Sequence, residues 1–322
     1  MNKHKLILTT FNVNGAKSRK PELIHHLTTH KTDVLLLQET RLKNRDTFKL
    51  PNYAIYRQDR PEGRGGGVAI AVKRTIKHTP IINTTTSRLE HVTIIIPTGK
   101  TKIAITSVYN PPTNRIDTQE IRNILEQESR AILAGDLNSK HTEWGCRTTN
   151  NNGSKLHKML ERNRQYKIGT QDEITRDNVN GGDILDYAIY KNLRINNIRR
   201  KTDLQSDHIA VEMEIIINQS LEPPTKPKHT YNYTKFSIKM EEATQDIQDI
   251  KTNDEIDIEI HKLINKTKQA LEQAKVPQKT QIQETPRVLP TEILNKIREK
   301  IEPQKNIIEQ DILHSKLRST TW

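Results

Sequence analysis

The 322-residue sequence has one cysteine, 4% aromatic residues and no long apolar segment. A lone cysteine, Cys146, excludes an internal disulfide framework and a multi-cysteine zinc site, so a reducing compartment is expected. No stretch approaches the roughly 20 apolar residues that a membrane helix needs. The apolar run at residues 6–8 is too short for a secretory signal core. The sequence therefore predicts a soluble, intracellular protein with no membrane partner.

Positive charge is abundant and unevenly placed, with a net charge of +13. Residues 1–218 carry 35 Lys and Arg against 23 Asp and Glu, whereas residues 219–322 carry 17 against 16. The excess lies in the first two thirds of the chain, where it would attract a polyanion. Basic charge alone is weak evidence, since many solvated surfaces are rich in lysine.

Polar side chains follow or close a series of short apolar runs that are typical of buried strands. In order, the motifs are Asn12-Val13-Asn14-Gly15, Gln38-Glu39-Thr40, Gly135-Asp136-Leu137-Asn138, Leu185-Asp186-Tyr187 and Ser206-Asp207-His208. Each motif is weak alone, since Asn-x-Asn-Gly is most often a turn. Five such motifs in one order, each at a strand end, predict a single polar site.

The residue types suit metal-assisted cleavage of a phosphodiester. Hard cations take carboxylate and amide oxygens. The candidate oxygen ligands are Asn12, Asn14, Glu39 and Asp207. Asp136, held beside the amide of Asn138, can take a proton from an attacking water. His208, oriented and kept protonated by Asp186, can donate to the phosphate oxygen that gains charge.

The order of these motifs, together with Tyr109-Asn110-Pro111-Pro112, resembles the endonuclease/exonuclease/phosphatase superfamily, whose fold is shared with apurinic endonucleases and deoxyribonuclease I. Residues 135–146, Gly-Asp-Leu-Asn-Ser-Lys-His-Thr-Glu-Trp-Gly-Cys, closely resemble the endonuclease domain of jockey-type non-LTR retrotransposons. The resemblance covers about residues 1–218. It agrees with the alternation of strands and helices, which predicts an α/β fold of two packed β-sheets flanked by helices, the four-layer sandwich of deoxyribonuclease I.

The resemblance also implies a role for each residue. Tyr109 contacts the scissile phosphate, Asp136 with Asn138 aligns the nucleophile, and Asp186 with His208 forms a dyad. The implied metal ligands are Asn12, Glu39 and Asp207, and the supporting positions are Asn14, Thr175 and Ser206. The implied cofactor is Mg²⁺, with Mn²⁺ as an alternative.

Two positions depart from the pattern of apurinic endonucleases. Those enzymes usually carry Asp where this chain has Asn14, and Asn where it has Pro112. The loss of a carboxylate at Asn14 should weaken metal binding if nothing compensates. Both departures are typical of the retrotransposon branch, so they argue against a repair enzyme more than against catalysis.

Composition changes after residue 218. Residues 219–232 are rich in proline and charge, which predicts an extended linker. Residues 233–322 are predicted to be helical, with helices at residues 254–274, from Thr291 and at residues 307–317. This region resembles the connector that leads to the reverse transcriptase of jockey-type elements, and no Tyr-x-Asp-Asp polymerase motif follows. The chain is interpreted as a truncated second open reading frame without the reverse transcriptase domain.

The leading interpretation is a metal-dependent DNA endonuclease that nicks target DNA and leaves a 3′-hydroxyl primer for retrotransposon integration. Double-stranded DNA is the expected partner, with element RNA reached through other parts of the parent polyprotein. The expected location is the nucleus, with the cytoplasm also open. The alternatives are an apurinic or general nuclease of the same fold, a small-molecule or lipid phosphatase, and a degenerate remnant that binds nucleic acid without activity. Charge spread over the whole domain disfavours the phosphatase.

Several local patterns favour structural interpretations. His26 and His30 have helical spacing, but their polar neighbours predict a solvated helix face rather than a zinc site. Residues 63–67 are rich in glycine and predict a loop beside the cleft rather than a nucleotide cradle. Trp144 is predicted to pack under the loop that follows Asp136. The other predicted elements are helices at residues 21–30 and 118–130, strands at residues 90–96 and 101–108 joined by a turn, and a closing strand at residues 208–217.

Overall fold

The structure is a computed structural model that describes residues 4–61, 65–81, 88–176, 182–204, 206–217, 221, 230–244 and 253–276. These residues fall into two compact units, one within residues 4–221 and the other within residues 230–276. Among the described helices, none has both the length and the hydrophobicity that a membrane span requires.

The first unit contains twelve strands and three α-helices among its described residues. The strands are β1 (His4–Asn12), β2 (Val34–Gln38), β3 (Tyr53–Gln58), β4 (Val68–Lys73), β5 (Thr79–Ile81), β6 (Glu90–Thr98), β7 (Thr101–Tyr109), β8 (Arg130–Asp136), β9 (Tyr166–Gly169), β10 (Asp186–Lys191), β11 (Arg194–Lys201) and β12 (Ala210–Ile217). The helices are α1 (Lys20–His30), α2 (Thr118–Leu125) and α3 (Asn151–Arg162), and a 3-10 turn spans Thr142–Trp144.

The strands form two six-stranded sheets. Their orders are β11-β12-β1-β2-β4-β3 and β5-β6-β7-β8-β10-β9. Apolar side chains from both sheets form one buried cluster between them, which includes Leu8, Leu36, Ile105 and Met213. Each of these side chains is fully buried, so the main core lies between the sheets.

Helices cover the outer faces of both sheets. Leu36 of β2 belongs to the cluster between the sheets, whereas its neighbours Leu35 and Leu37 share a second cluster with Leu23 of α1, as strand alternation requires. A third cluster joins α2 and α3 to the other sheet through residues such as Ile121, Leu156 and Leu133. The layers run helix, sheet, sheet, helix, which confirms the predicted sandwich.

Each sheet contains one parallel pair of strands near its centre. β1 pairs with β2, with Asn12 opposite Gln38, and β7 pairs with β8, with Tyr109 opposite Asp136. Because the strands of a parallel pair end at the same edge, the polar residues that close or follow them are brought together. β10 and β12 run antiparallel to these pairs, and Asp186 lies opposite Asp136.

Some predicted element boundaries were wrong. The helix expected at residues 118–130 ends at Leu125. The next residue, Glu126, instead receives hydrogen bonds from Lys191 (2.7 Å) and Tyr166 (2.5 Å), and the chain turns before β8. The closing strand begins at Ala210 rather than at residue 208. The predicted hairpin between β6 and β7 is confirmed, with Gly99 at its turn in a left-handed conformation, φ 62°.

The second unit contains the short strands β13 (Thr230–Tyr231) and β14 (Lys275–Val276), which pair antiparallel, and the helices α4 (Tyr233–Thr244) and α5 (Asn253–Gln273). Helix α5 confirms the helix predicted at residues 254–274. The two later helices and most of the predicted linker lie outside the described residues. The division at residues 218 and 232 stays a prediction.

Candidate active site

One amide side chain joins carboxylates from both sheets. Asn12 is the last residue of β1, Glu39 directly follows β2, and Asp136 ends β8. The Asn12 Nδ2 group donates to Glu39 Oε1 at 3.1 Å and to Asp136 Oδ2 at 3.0 Å. Asn12 and Asp136 are each 1% exposed. The two sheets therefore meet at a polar centre built from their strand ends.

Tyr109 adds a hydroxyl group to this centre. It ends β7, and its hydroxyl donates to Glu39 Oε1 at 3.0 Å. Burial raises the pKa of Tyr109 well above its usual range, and the charges of Glu39 and Asp136 raise it further. The guanidinium of Arg60 lies 6.0 Å from the centre of the Tyr109 ring. Tyr109 is therefore a permanent hydrogen-bond donor.

The backbone around Asp136 positions its carboxylate. A Cβ atom on the preceding Gly135 would lie 1.9 Å from the carbonyl oxygen of Val108, so this close approach of β7 and β8 requires glycine. The Asn138 backbone N–H donates to Asp136 Oδ1 at 3.0 Å, and its side-chain amide donates to the Asn110 carbonyl at 3.1 Å. Burial raises the pKa of Asp136 to about 7, while nearby His208 opposes this rise.

His208 and Asp186 form a buried pair beside Asp136. His208 Nδ1 lies 2.7 Å from Asp186 Oδ2, and His208 Nε2 lies 3.7 Å from Asp136 Oδ2. Burial lowers the pKa of His208, but the charge and hydrogen bond of Asp186 outweigh it and raise that pKa to about 9. The Thr175 hydroxyl accepts from the backbone N–H groups of Leu185 (2.9 Å) and Asp186 (3.1 Å), which holds this carboxylate in place.

Asp207, Asn14 and Ser206 form the rim of the centre. The Ser206 hydroxyl is within hydrogen-bond distance of the Asn12 carbonyl (2.9 Å) and of Asp207 Oδ1 (3.1 Å). The Asn14 amide donates to Asp207 Oδ1 at 3.0 Å, and its backbone N–H donates to Asn12 Oδ1 at 3.2 Å. Burial opposes ionisation of Asp207, but His208 and these hydrogen bonds lower its pKa. The Asp207 side chain is 43% exposed, so the centre opens to solvent here.

Three site residues have left-handed backbone angles. The φ values are 45° for Asn14, 49° for Glu39 and 46° for Asn138. Asn adopts this conformation readily, whereas a residue such as Glu does so at a cost of about 1–3 kcal/mol. The carboxylate of this strained residue accepts hydrogen bonds from Asn12 and Tyr109, and strain of this kind clusters at functional sites.

The donor set fits a hard divalent cation. Asn14 Oδ1 is buried without a hydrogen-bond partner among the described residues. Glu39 Oε2 receives a long contact of 3.4 Å from Arg41, and Asp207 Oδ2 a contact of 3.4 Å from Arg176. Carboxylate and amide oxygens with such weak partners are suitable ligands for a cation of this kind.

Two polar residues that join the sheets were not predicted. The Gln38 side-chain amide donates to the Ser107 hydroxyl at 3.0 Å, and this hydroxyl donates to the Leu37 carbonyl at 3.1 Å. Both side chains are fully buried. Gln38 directly precedes Glu39 in the Gln38-Glu39-Thr40 motif, and this position could have indicated that Gln38 lies near the site. Ser107 lies inside an apolar strand and has no such signal.

The structural interpretations outside the site had mixed outcomes. Trp144 is buried and its indole N–H donates to the Ser139 carbonyl at 3.2 Å, which confirms its structural role. Gly66 and Gly67 pair with the backbone beside Glu39, so the described part of the glycine-rich loop does flank the centre. The prediction of a solvated helix face was wrong for His26, which is fully buried and lies with its Nδ1 atom 2.8 Å from Asp203 Oδ2.

Residues 9–208 match the model of the family described as Endonuclease/Exonuclease/phosphatase family. That match covers more than half of the chain, and the chain therefore belongs to this family. Its fold and buried polar centre agree with membership in a family of phosphate-ester hydrolases.

The comparison with curated proteins confirms the resemblance to jockey-type retrotransposons. The chain is 30% identical over 213 residues to "Probable RNA-directed DNA polymerase from transposon X-element" of Drosophila melanogaster, with 64% of this chain and 24% of that protein covered. It is 24% identical over 255 residues to "RNA-directed DNA polymerase from mobile element jockey" of the same organism, with 76% of this chain and 28% of that protein covered. The chain thus spans about a quarter of the length of these relatives.

Solved structures support the fold. The endonuclease domain of TRAS1, a telomere-specific non-LTR retrotransposon, superimposes with a TM-score of 0.57 at 20% identity, over 66% of this chain and 98% of that domain. The catalytic domain of Xenopus laevis APE2 superimposes with a TM-score of 0.52 at 16% identity, over 69% of this chain and 94% of that domain. At these identities the likeness is one of fold.

Proposed function

We propose that this chain is a Mg²⁺-dependent DNA endonuclease that nicks one strand and leaves a 3′-hydroxyl primer for retrotransposon integration. The observation that carries the proposal is the buried group of Asp136, His208 and Asp186 beside the Asn12 and Glu39 pair. The group contains a base, a cationic donor and oxygen ligands within one centre. Mn²⁺ is the alternative ion for the same oxygen donors.

The side chains divide the reaction between them. Asp136, held by Asn12 and Asn138, takes a proton from the attacking water as the new O–P bond forms. His208 donates from Nε2 to the nonbridging oxygen that gains charge, while Asp186 keeps the ring protonated and oriented. The P–O3′ bond breaks on the opposite side, and O3′ takes a proton from solvent. The product strand then ends in a 3′-hydroxyl.

The residues that would hold the cation are Asn12, Glu39 and Asp207, with Asn14 as a supporting oxygen donor. When bound, Mg²⁺ neutralises charge on the phosphate in the transition state. Tyr109, a permanent donor beside Glu39, is suited to bind the scissile phosphate. Thr175 and Ser206 act by positioning Asp186 and Asp207.

A basic groove beside the centre supports DNA as the substrate. The groove has a volume of about 850 Å³, and Arg41, Lys43, Arg45 and Arg60 line it. Arg41 also contacts Glu39, which places the groove next to the reacting groups. Four cationic side chains around a groove beside a phosphodiesterase centre suit a polyanion better than a small phosphate ester.

The groove can be tested through the salt dependence of DNA binding. Replacing Lys43 and Arg45 with Gln removes two exposed cations. If both contact phosphates, the slope of log affinity against log salt should flatten by about 1.8. Replacement of Lys155 and Lys158 on α3 removes the same charge elsewhere and should leave the slope unchanged. Equal slopes for both double variants would refute the groove as the DNA-binding surface.

The activity itself can be tested on a supercoiled plasmid. Mg²⁺ should support conversion to the nicked circle, and EDTA should prevent it. A DNA polymerase should extend the nick without prior end repair, since a 3′-hydroxyl is expected. Cleavage confined to abasic duplex would instead favour the apurinic nuclease. No cleavage of either substrate, with DNA binding retained, would favour the inactive remnant.

The site of action is also part of the proposal. Chromosomal target DNA implies activity in the nucleus. Element RNA would be bound by other parts of the parent polyprotein, since the role proposed for residues 1–218 is DNA cleavage alone. Residues 219–232 would act as a linker and residues 233–322 as a helical connector of the jockey type.

A further inference from the structure

A cluster of side chains of the types that bind metals lies outside the candidate active site. His26 and His30 are one turn apart on α1, and Asp203 lies between β11 and β12. Asp203 Oδ2 is 2.8 Å from His26 Nδ1 and 3.1 Å from His30 Nε2. The three potential ligand atoms all lie within 4.8 Å of one another, and His26 is fully buried. We propose that His26, His30 and Asp203 form a binding site for Zn²⁺.

The donor types select a different ion from that of the active site. Two imidazole nitrogens and one carboxylate oxygen are typical zinc ligands, whereas Mg²⁺ prefers an all-oxygen set. Zinc bonds of about 2.0–2.1 Å at tetrahedral angles separate neighbouring ligand atoms by about 3.3 Å. The observed separations of 2.8 and 3.1 Å need to open by only a few tenths of an ångström. Water would complete a four-coordinate shell.

Helix geometry and neighbouring groups prepare both rings for the ion. Side chains at i and i+4 lie on the same helix face, which is the spacing that paired zinc-binding histidines use. His26 Nε2 lies 3.5 Å from the Thr32 hydroxyl, which can accept its N–H when Nδ1 binds the ion. An outer partner of this kind fixes the tautomer and the ring orientation of a ligand.

Lys201 is the charged neighbour that must adjust. Its Nζ atom lies 3.1 Å from His30 Nδ1 and 3.3 Å from Glu212 Oε1. Glu212 is buried, and its Oε2 atom has no hydrogen-bond partner among the described residues. A shift of Lys201 towards Glu212 would therefore release His30 Nδ1 to carry a proton and satisfy a buried oxygen. The His30 Nε2 lone pair is then available to the ion.

The site would link α1 to the segment that carries active-site residues. Asp203 precedes Asp207 by four positions and His208 by five. An ion bound to Asp203 and to both histidines of α1 would tie the start of that segment to the helix. The inference does not depend on the proposed nuclease activity, because zinc binding is measured directly.

The test is a zinc titration of the full chain after EDTA treatment and desalting. The titration contains 10 mM MgCl₂, chosen to occupy oxygen-only sites, and a chromophoric zinc chelator as competitor. We expect one equivalent of Zn²⁺ with a dissociation constant of about 1 µM or tighter. Co²⁺ in place of Zn²⁺ should give the visible absorption of a four-coordinate nitrogen and oxygen site.

Variants separate this site from the active site. His30→Gln and Asp203→Asn should each weaken zinc binding at least about 100-fold, since even an outer partner contributes 10–100-fold. Circular dichroism checks the fold of each variant. His78→Gln, which changes a histidine bound to Tyr56 and the Ile76 carbonyl, should not alter binding. Glu39→Gln, in the candidate active site, should also bind one equivalent of Zn²⁺.

Two results would overturn the proposal. One is that the wild-type chain binds no zinc when it is titrated in the presence of 10 mM MgCl₂. The other is a zinc equivalent that His30→Gln and Asp203→Asn retain but Glu39→Gln loses, since zinc would then occupy the active site. Failed plasmid nicking together with the expected zinc titration would refute the nuclease proposal and leave this site intact.

Discussion

The buried pair of His208 and Asp186 permits a prediction that separates stability from catalysis. Asp186 is fully buried, its Oδ1 atom has no hydrogen-bond partner among the described residues, and His208 lies 2.7 Å from Oδ2. His208→Ala removes the paired cation, which should cost about 3–5 kcal/mol of unfolding free energy because a buried carboxylate is left unpaired. The double variant with Asp186→Ala removes that carboxylate as well. Its cost should therefore be smaller than the sum of the single costs, with a coupling of about 1–3 kcal/mol.

Nicking should respond differently from stability. His208→Ala should lower the nicking rate by about 10²–10³-fold, the usual effect of removing one donor to a developing oxyanion. The double variant should show the sub-additive cost in urea denaturation but no gain of activity in the plasmid assay, because the donor is still absent. Recovery of nicking in the double variant would refute the donor role of His208. Strictly additive stability costs would refute the buried ion pair.

Three further predictions test the strand end, the metal ligands and the domain division. Gly135→Ala should lower the free energy of unfolding by about 3 kcal/mol in urea denaturation, because its Cβ would lie 1.9 Å from a backbone oxygen. The control is Gly169→Ala, whose Cβ would meet only side-chain atoms, at 3.1 Å or more. This control should cost below about 1 kcal/mol. Glu39→Gln should raise the Mg²⁺ concentration for half-maximal nicking about tenfold, because an amide is a poorer ligand; an unchanged titration would remove Glu39 from the ligand set. Truncation after residue 218 should preserve nicking and salt-sensitive DNA binding, and a folded but inactive product would assign residues 219–322 to the active unit.

The sequence predicted which polar residues would lie at strand ends, because such ends leave a local signature. A short apolar run followed by Asn, Asp or Glu is visible without knowledge of the fold. Asn12, Asp136 and Asp186 lie at strand boundaries, and Glu39 follows a strand directly. The sandwich was also predictable, because alternating strand and helix patterns require helices outside two sheets.

Long-range burial could not be read from local patterns. His26 was predicted to be solvated because its sequence neighbours are polar, yet it is fully buried and its polar partner Asp203 is 177 positions away. The contact of Gln38 with Ser107 joins residues 69 positions apart on different sheets. A polar residue inside an apolar strand gives no sign of the partner that satisfies it. Such contacts require the arrangement of the two sheets, which periodicity does not specify.

That arrangement explains why Asn occupies position 12. Its amide group donates to Glu39 and Asp136 at once, while its oxygen accepts the Asn14 backbone N–H. An aspartate there would place a third carboxylate against two others and repel both. Asn supplies the donor that holds both carboxylates together before any cation binds.

The same reasoning accounts for Asn14, where apurinic endonucleases usually carry Asp. The Asn14 amide donates to Asp207 Oδ1 at 3.0 Å, and an aspartate at this position would instead repel Asp207. The lost carboxylate lowers the negative charge available to a cation, but the amide keeps Asp207 oriented and ionised. Asn14 therefore helps to preform the centre without an ion, because its amide holds Asp207 in place where a second carboxylate would repel it.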